Sequence, residues 1–443
     1  MTSVAGEARA PDAAAGWRTW GLAHTTVAVC LAFLALAVAF SLLTPAWENN
    51  DEASHVQYVE HVADHGTPPL IALGNGLESH QGPLYYYLAA GWQRLLGIGA
   101  FSARPPAQKG LLDNFKSGIY VYTHDYTAAQ EQQAGWVHVL RVVSIACGLI
   151  TVLAAVATGW LLTRRLAFAG AVGAAVALWP KFIVINSAVT NAALVDALCA
   201  CAIPCFLLWR RARSPGWAAA TGLALGGGAL AAETALPIAG LMLALMIALG
   251  WRDRDWRGPL LAIACFAAVA GWWYVRNTTL YGDPLASAAT TEYLREPLGA
   301  APLVRTPPSL DLSVLGFGLK TLPQSTWYDA GWNQIQLPSW LGLAVSALAV
   351  VSLLGAAGAR LRGRLLLALC ALGSVVVWLL LLRATNQAEG RYLLVAVVAW
   401  AALLAAGSER LLARFGGIWL WPLLFLGLDV YVLARFLIPY AHL

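Results

Sequence analysis

Eleven stretches of this chain are apolar over lengths that approach a bilayer's hydrocarbon core, which takes about 20 helical residues to cross. They run over roughly 23–45, 138–162, 167–187, 192–209, 216–232, 235–250, 258–276, 338–357, 364–382, 392–407 and 417–437. Inside lipid every backbone N–H and C=O must be paired within its own segment, so runs of this length are helices. Composition agrees: 59% of the 443 residues are hydrophobic and 12% charged, more apolar surface than a soluble fold could hide. The expectation is an all-α polytopic membrane protein of about eleven transmembrane helices.

Residues 1–22 are Ala-rich and polar and read as a disordered cytoplasmic tail. The rest, 23–443, reads as a single transmembrane domain ending just past the last helix at Leu443, with no soluble C-terminal domain. The first apolar run lacks a small-residue cleavage site and leads into acids, which makes it an anchor rather than a removable signal. All seven cysteines lie in apolar runs. Cys201 and Cys205 share a helical face, but no histidine is near, so they read as small hydrophobes.

Charge placement sets the orientation. With the N-terminus in the cytoplasm, Arg164/Arg165, Arg210/Arg211/Arg213, Arg252/Arg254/Arg257, Arg360/Arg362/Arg364 and Arg410/Arg414 all fall inside, as the positive-inside rule requires. Residues 82–99 are amphipathic and short for a span; if they crossed, every later arginine cluster would land outside. They are therefore expected to form an interfacial helix with Tyr and Trp at headgroup depth. Two large outer loops remain, about 46–137 and about 277–337. No internal repeat is visible.

The outer ends of the helices hold the candidate chemistry. In NDEASH, Asp51 and His55 share a helical face beside Glu52, a set that could take a proton or hold a divalent cation. An ordinary solvated acidic loop is the alternative reading of these residues alone. Glu78 and His80 precede the interfacial helix. Lys181, Arg276 and Arg391 are cations at helix ends, suited to a lipid-linked phosphate if they converge, or else side chains snorkelling to the interface. Asp196 could pair with Lys181, and Asp429 with Arg435. His61 and His65, four apart, have the spacing of a metal pair but read as surface residues. No Walker loop or GxGxxG is present, so neither a nucleotide site nor nucleic-acid binding is expected.

Taken in order, NDEASH, HQGPLYYYL, HVLRVVS (138–144), VTNAALVDAL, GWWYVRNTTLYGDP, STWYDAGW with LPSW (325–340) and EGRYLL resemble the GT-C superfamily. Its members are multi-pass glycosyltransferases that use polyprenyl-phosphate sugars; the likeness is to the branch of aminoarabinose transferases and protein O-mannosyltransferases. The resemblance spans nearly the whole chain. It implies inverting transfer of a hexosyl or pentosyl group from a polyprenyl-phosphate donor to an unidentified acceptor. Asp51 and Glu52 would be catalytic. His55, Glu78, His80, Lys181, Arg276, Asn277, Arg391 and Tyr392 would line the donor and acceptor cavity. It leaves open a divalent cation, Mg2+ or Mn2+, at Asp51, Glu52 and His55. Three positions depart from the pattern: Gln81 and Gly82 replace the prolines of the family's His-Pro-Pro element, and Glu233 stands where relatives often carry a lysine. The Ala- and Arg-rich composition points to a bacterial plasma membrane with an extracytoplasmic site. A transporter or flippase and a non-catalytic envelope-assembly partner are the competing readings.

Overall fold

The computed structural model describes residues 13–72, 78–101, 126–295, 304–330, 335–385 and 389–440. Residues 1–12 of the expected tail, and parts of both outer loops (102–125, 296–303 and 331–334), lie outside them. The chain is helical nearly throughout: α1 Ala13–Leu43, α2 Glu52–His65, α3 Leu84–Leu95, α4 Ala128–Thr163, α5 Leu166–Ala177, α6 Pro180–Asn186, α7 Ala192–Ala212, α8 Pro215–Ala231, α9 Leu236–Asp253, α10 Arg257–Tyr281, α11 Ser287–Tyr293, α12 Leu312–Ser325, α13 Ser339–Ala357, α14 Arg364–Ala384, α15 Val397–Leu411 and α16 Leu420–Val432. One antiparallel pair, β1 Asp329–Ala330 and β2 Ile335–Gln336, interrupts the second outer loop.

Every run read as a span is helical. Among the described residues nine helices are long and apolar enough to cross a membrane, or ten if the bent pair α5–α6 is one span. α8, at 17 residues, sits at the short limit of spanning length. The 61° bend between α5 and α6 falls where Pro180 opens α6, since proline cannot continue the hydrogen-bond ladder of a preceding helix. α1 already begins at Ala13, inside the stretch expected to be tail.

α3 is 12 residues long, about 18 Å, too short to cross. It buries Tyr85, Tyr86, Ala89 and Ala90 and exposes Tyr87, Leu88, Leu95 and Leu96, the two-faced pattern of an interfacial helix. α12 likewise exposes Leu312, Phe317 and Leu319; Asp311 caps it by accepting from the N–H groups of Ser313 and Val314. α4 opens on a capping box of Thr127 and Gln130. From Arg141 to its far end at Arg164 is roughly 35 Å at 1.5 Å per residue, so the acidic loop after α1 and the Arg164/Arg165 cluster mark opposite ends of the bundle.

Small residues set the closest helix approaches. At Gly222 and Gly226 on α8 a side chain would run into the backbone carbonyls of Ala262 and Phe266 on α10. This is the four-residue small-residue spacing by which membrane helices come into backbone contact. Gly222→Leu should destabilise the protein by about 1–3 kcal/mol through overpacking. Thermal unfolding in detergent reads this, and an unchanged midpoint would contradict the contact.

Candidate functional site

The loop between α1 and α2 is built around one buried ion pair. Arg141 of α4 uses all five N–H groups: Nε and Nη2 donate to the two oxygens of Glu52 at 2.7 Å each, Nη1 to the carbonyls of Ser41 and Thr44 at 2.6 and 2.7 Å, and Nη2 to that of Pro45 at 2.9 Å. Glu52 completes its four acceptor positions with the N–H groups of Trp47 (3.0 Å) and Val189 (2.9 Å). Both side chains are 0% exposed. The clamp joins the end of α1, the start of α2, the middle of the bundle and the turn before α7.

That clamp forces unusual backbone on its neighbours. Trp47 and Asp51 hold φ of 67° and 62°, the left-handed region that ordinary side chains disfavour and Asp tolerates better than most. Asp51 sits at the N-cap of α2, yet its carboxylate does not cap the helix. It points across the chamber to Arg391, whose Nη2 donates to Oδ2 at 3.1 Å. Nε of Arg391 is held by Glu389 at 2.7 Å, and its Nη2 also reaches the Tyr392 hydroxyl at 3.3 Å. Gly390 between the two is required by space: its N–H donates to Ser325 Oγ at 2.8 Å, and a Cβ there would overlap the backbone of Thr326.

His55, one turn into α2, lies under Tyr86, with Nδ1 and the phenol oxygen 2.8 Å apart. Tyr86 stacks on Tyr58 with ring centroids 3.6 Å apart and planes within 6°. Burial holds the His55 pKa down at about 4, Arg391 and His80 adding to the effect against the pull of Glu78. Glu78, also buried, is raised from the ordinary carboxylate value, first by burial and then by the charge of Asp51, against His55, Arg391 and a hydrogen bond from Gln81. His80 packs its Nε2 3.1 Å from the Gln81 amide, and Gln81 in turn accepts from Asn191 at 3.1 Å. Asn191 also donates to the Ala231 carbonyl, tying this wall to α8.

Asp51, His55, Glu78, His80, Arg391 and Tyr392 therefore gather in one polar cluster. Lys181 lies just beneath it, within electrostatic reach of Asp51, Glu389 and Arg391, but its ammonium is ion-paired with Asp329 of β1 and 2% exposed. The bend before α6 aims it there: Lys181 N–H donates to the Trp327 carbonyl at 2.9 Å and Trp179 Nε1 to that of Thr326 at 3.0 Å. Trp179, Trp327, Trp421 and Phe425 stack below. Arg276 lies over the Trp273 ring at 4.7 Å, where its charge acts on Tyr58. Asn277 turns away, donating to Pro284 within its own loop at 3.2 Å.

Three expectations change with the geometry. Glu52 has no lone pair left to act as a base or ligand. Among the described residues no group of three or more His, Cys, Asp or Glu could hold a metal ion. Lys181 pairs with Asp329, not Asp196, and Asp429 is fully buried without a hydrogen-bond partner while Arg435 is exposed. Sequence reading passed over Arg141, Asp329, Glu389 and Gly390. An arginine inside an apolar run at 141 was the available signal, because intramembrane charges are retained only with partners.

Neither a family model nor a curated relative matches the sequence. Solved structures do match in fold. ArnT from Cupriavidus metallidurans in the apo state superposes with a TM-score of 0.55 at 16% identity, over 96% of this chain and 64% of that one. The same protein bound to undecaprenyl phosphate gives 0.53 at 14%, over 92% and 63%. An Archaeoglobus fulgidus oligosaccharyltransferase tethered to an acceptor peptide gives 0.54 at 15%, over 94% and 55%. The chain spans less than two thirds of the length of each. What is shared is the architecture: this is a multi-pass helical membrane protein with the GT-C fold.

Replacing Arg141 with Met should cost about 3–5 kcal/mol, because it strands a buried carboxylate. The double change Glu52→Leu/Arg141→Met should cost less than the two single changes summed, read by thermal unfolding; strict additivity would deny the clamp. Because His55 is neutral down to about pH 4, activity should show no ascending limb near pH 6.5 that disappears in His55→Asn.

Proposed function

We propose that the chain is a glycosyltransferase that moves a sugar from a polyprenyl-phosphate donor to an acceptor hydroxyl or amine at the outer face of a bacterial plasma membrane. The observation that carries the reading is the meeting of Asp51 and Arg391, 340 residues apart, in one chamber at the end of the bundle opposite the Arg164/Arg165 cluster. Asp51 takes the acceptor's proton. The acceptor atom bonds to the anomeric carbon as the bond from that carbon to the phosphate oxygen breaks, and the electron pair leaves on the polyprenyl phosphate. One displacement without an enzyme-bound intermediate inverts the anomeric centre. Arg391 and Arg276 offer the positive charge that the departing phosphate needs. Support comes from the shared fold, one of whose examples was crystallised with undecaprenyl phosphate.

The transport reading keeps one observation in its favour: Asp196 and Asp429 are buried carboxylates within spanning helices, a feature of ion-coupled carriers. Substrate flux across sealed vesicles, insensitive to Asp51, would establish it in place of transfer.

The test of transfer is purified protein in liposomes with labelled polyprenyl-phosphate hexose and pentose donors. Asp51→Asn should lower turnover by a factor of about 10² or more while the protein stays folded. Full turnover in that variant would remove Asp51 from the chemistry.

A further inference from the structure

Two cations of this site, Arg391 and Lys181, are already matched by carboxylates. Arg391 carries two, Asp51 and Glu389, with side chains only 10% and 9% exposed. Lys181 is matched by Asp329. A phosphate that approaches Arg391 therefore meets a guanidinium whose charge is spent, with Glu78 close to Asp51 besides.

The two bonds to Arg391 are not equivalent. Glu389 is two residues away on a turn pinned by Gly390 against Ser325 and Thr326, and its contact to Nε is the shorter at 2.7 Å. Asp51 makes one contact, through Nη2 at 3.1 Å, across a gap between distant parts of the chain. The anchored bond is the permanent one, and the cross-chamber bond is the one a stronger anion can take over.

Resting on the transferase reading above, we infer that Arg391 is exchanged between Asp51 and the donor phosphate, with Glu389 as its fixed positioning residue. While Nη2 of Arg391 donates to Oδ2 of Asp51, one of the carboxylate's four acceptor positions is taken and the group is held against the guanidinium. When a phosphate draws Nη2 away, the carboxylate is free to turn toward the acceptor at the moment the donor is in place. Donor binding thereby frees the base.

The two ends of such an exchange are coupled, and the coupling is reciprocal: whatever removes the Asp51 carboxylate must tighten phosphate binding. Undecaprenyl phosphate is titrated against the full chain in nanodiscs, with thermal unfolding confirming that each variant is folded. Asp51→Asn should bind about fivefold or more tightly than wild type, at the lower end of typical coupling between sites. The same change in an Arg391→Gln background should give no tightening. Equal tightening in both backgrounds would mean simple loss of a negative charge and would overturn the exchange, as would equal or weaker binding by Asp51→Asn alone. Absence of undecaprenyl phosphate binding in wild type and all variants is a different failure, that of the donor reading itself. Inorganic phosphate in parallel separates sources: tightening for the lipid alone places the exchange at a lipid headgroup, and tightening for both extends it to any phosphate.

Discussion

The structure around the chamber depends on the burial of one guanidinium and one carboxylate. Two charges taken out of water are tolerated only when attraction and hydrogen bonds replace nearly all of the lost solvation. Arg141 and Glu52 meet that condition, since every donor of one and every acceptor position of the other is used. Because those partners come from α1, α2, α4 and the turn before α7, the pair fixes the relative positions of four segments at once. It gains its rigidity from completeness: loosening any one segment would strand a polar group in the interior.

The consequence for the site is local strain with a direction. A loop held at both Trp47 N–H and the Glu52 carboxylate has little freedom between, and Asp51 is left in left-handed backbone with its side chain turned away from the helix it begins. A carboxylate at an N-cap usually satisfies the helix's free N–H groups. Here that local preference is overridden and the oxygen is delivered to the chamber instead. Gly390 is the counterpart on the opposite wall, where only the absence of a Cβ lets Glu389 and Arg391 sit hard against the end of α12. Departures from local rules gather where a fold positions reactive groups, and both departures here flank one ion pair.

Much of the architecture was legible because lipid imposes a strong rule: apolar length alone marks spans, and arginine placement orders their ends. The helical identity of every run followed from it. α8 is at the limit of length, and Pro180 breaks a run that reads as continuous. In the site, Asp51 and Arg391 could be named from their positions after the first span and before a late one. The division of labour between Asp51 and Glu52 could not. Adjacent acids look equivalent in a sequence, and only the partners of each, 89 residues away for Glu52 and 340 for Asp51, tell them apart. Lys181 was misassigned to Asp196 for the same reason, because its true partner lies on a two-residue strand with no sequence signature.

Glu233 opens the turn before α9 within electrostatic reach of His80, Glu78 and Asp283. Those acids stand on the wall made by the α3 entry and the α8–α10 side, while Arg391 and Lys181 belong to the wall made by α6 and the turn before α15. The cations of that second wall do not stand alone, since Arg391 is paired with Asp51 and Glu389 and Lys181 with Asp329. Carboxylates therefore stand on both sides, and an anion reaches Arg391 only by displacing one that is already bonded to it.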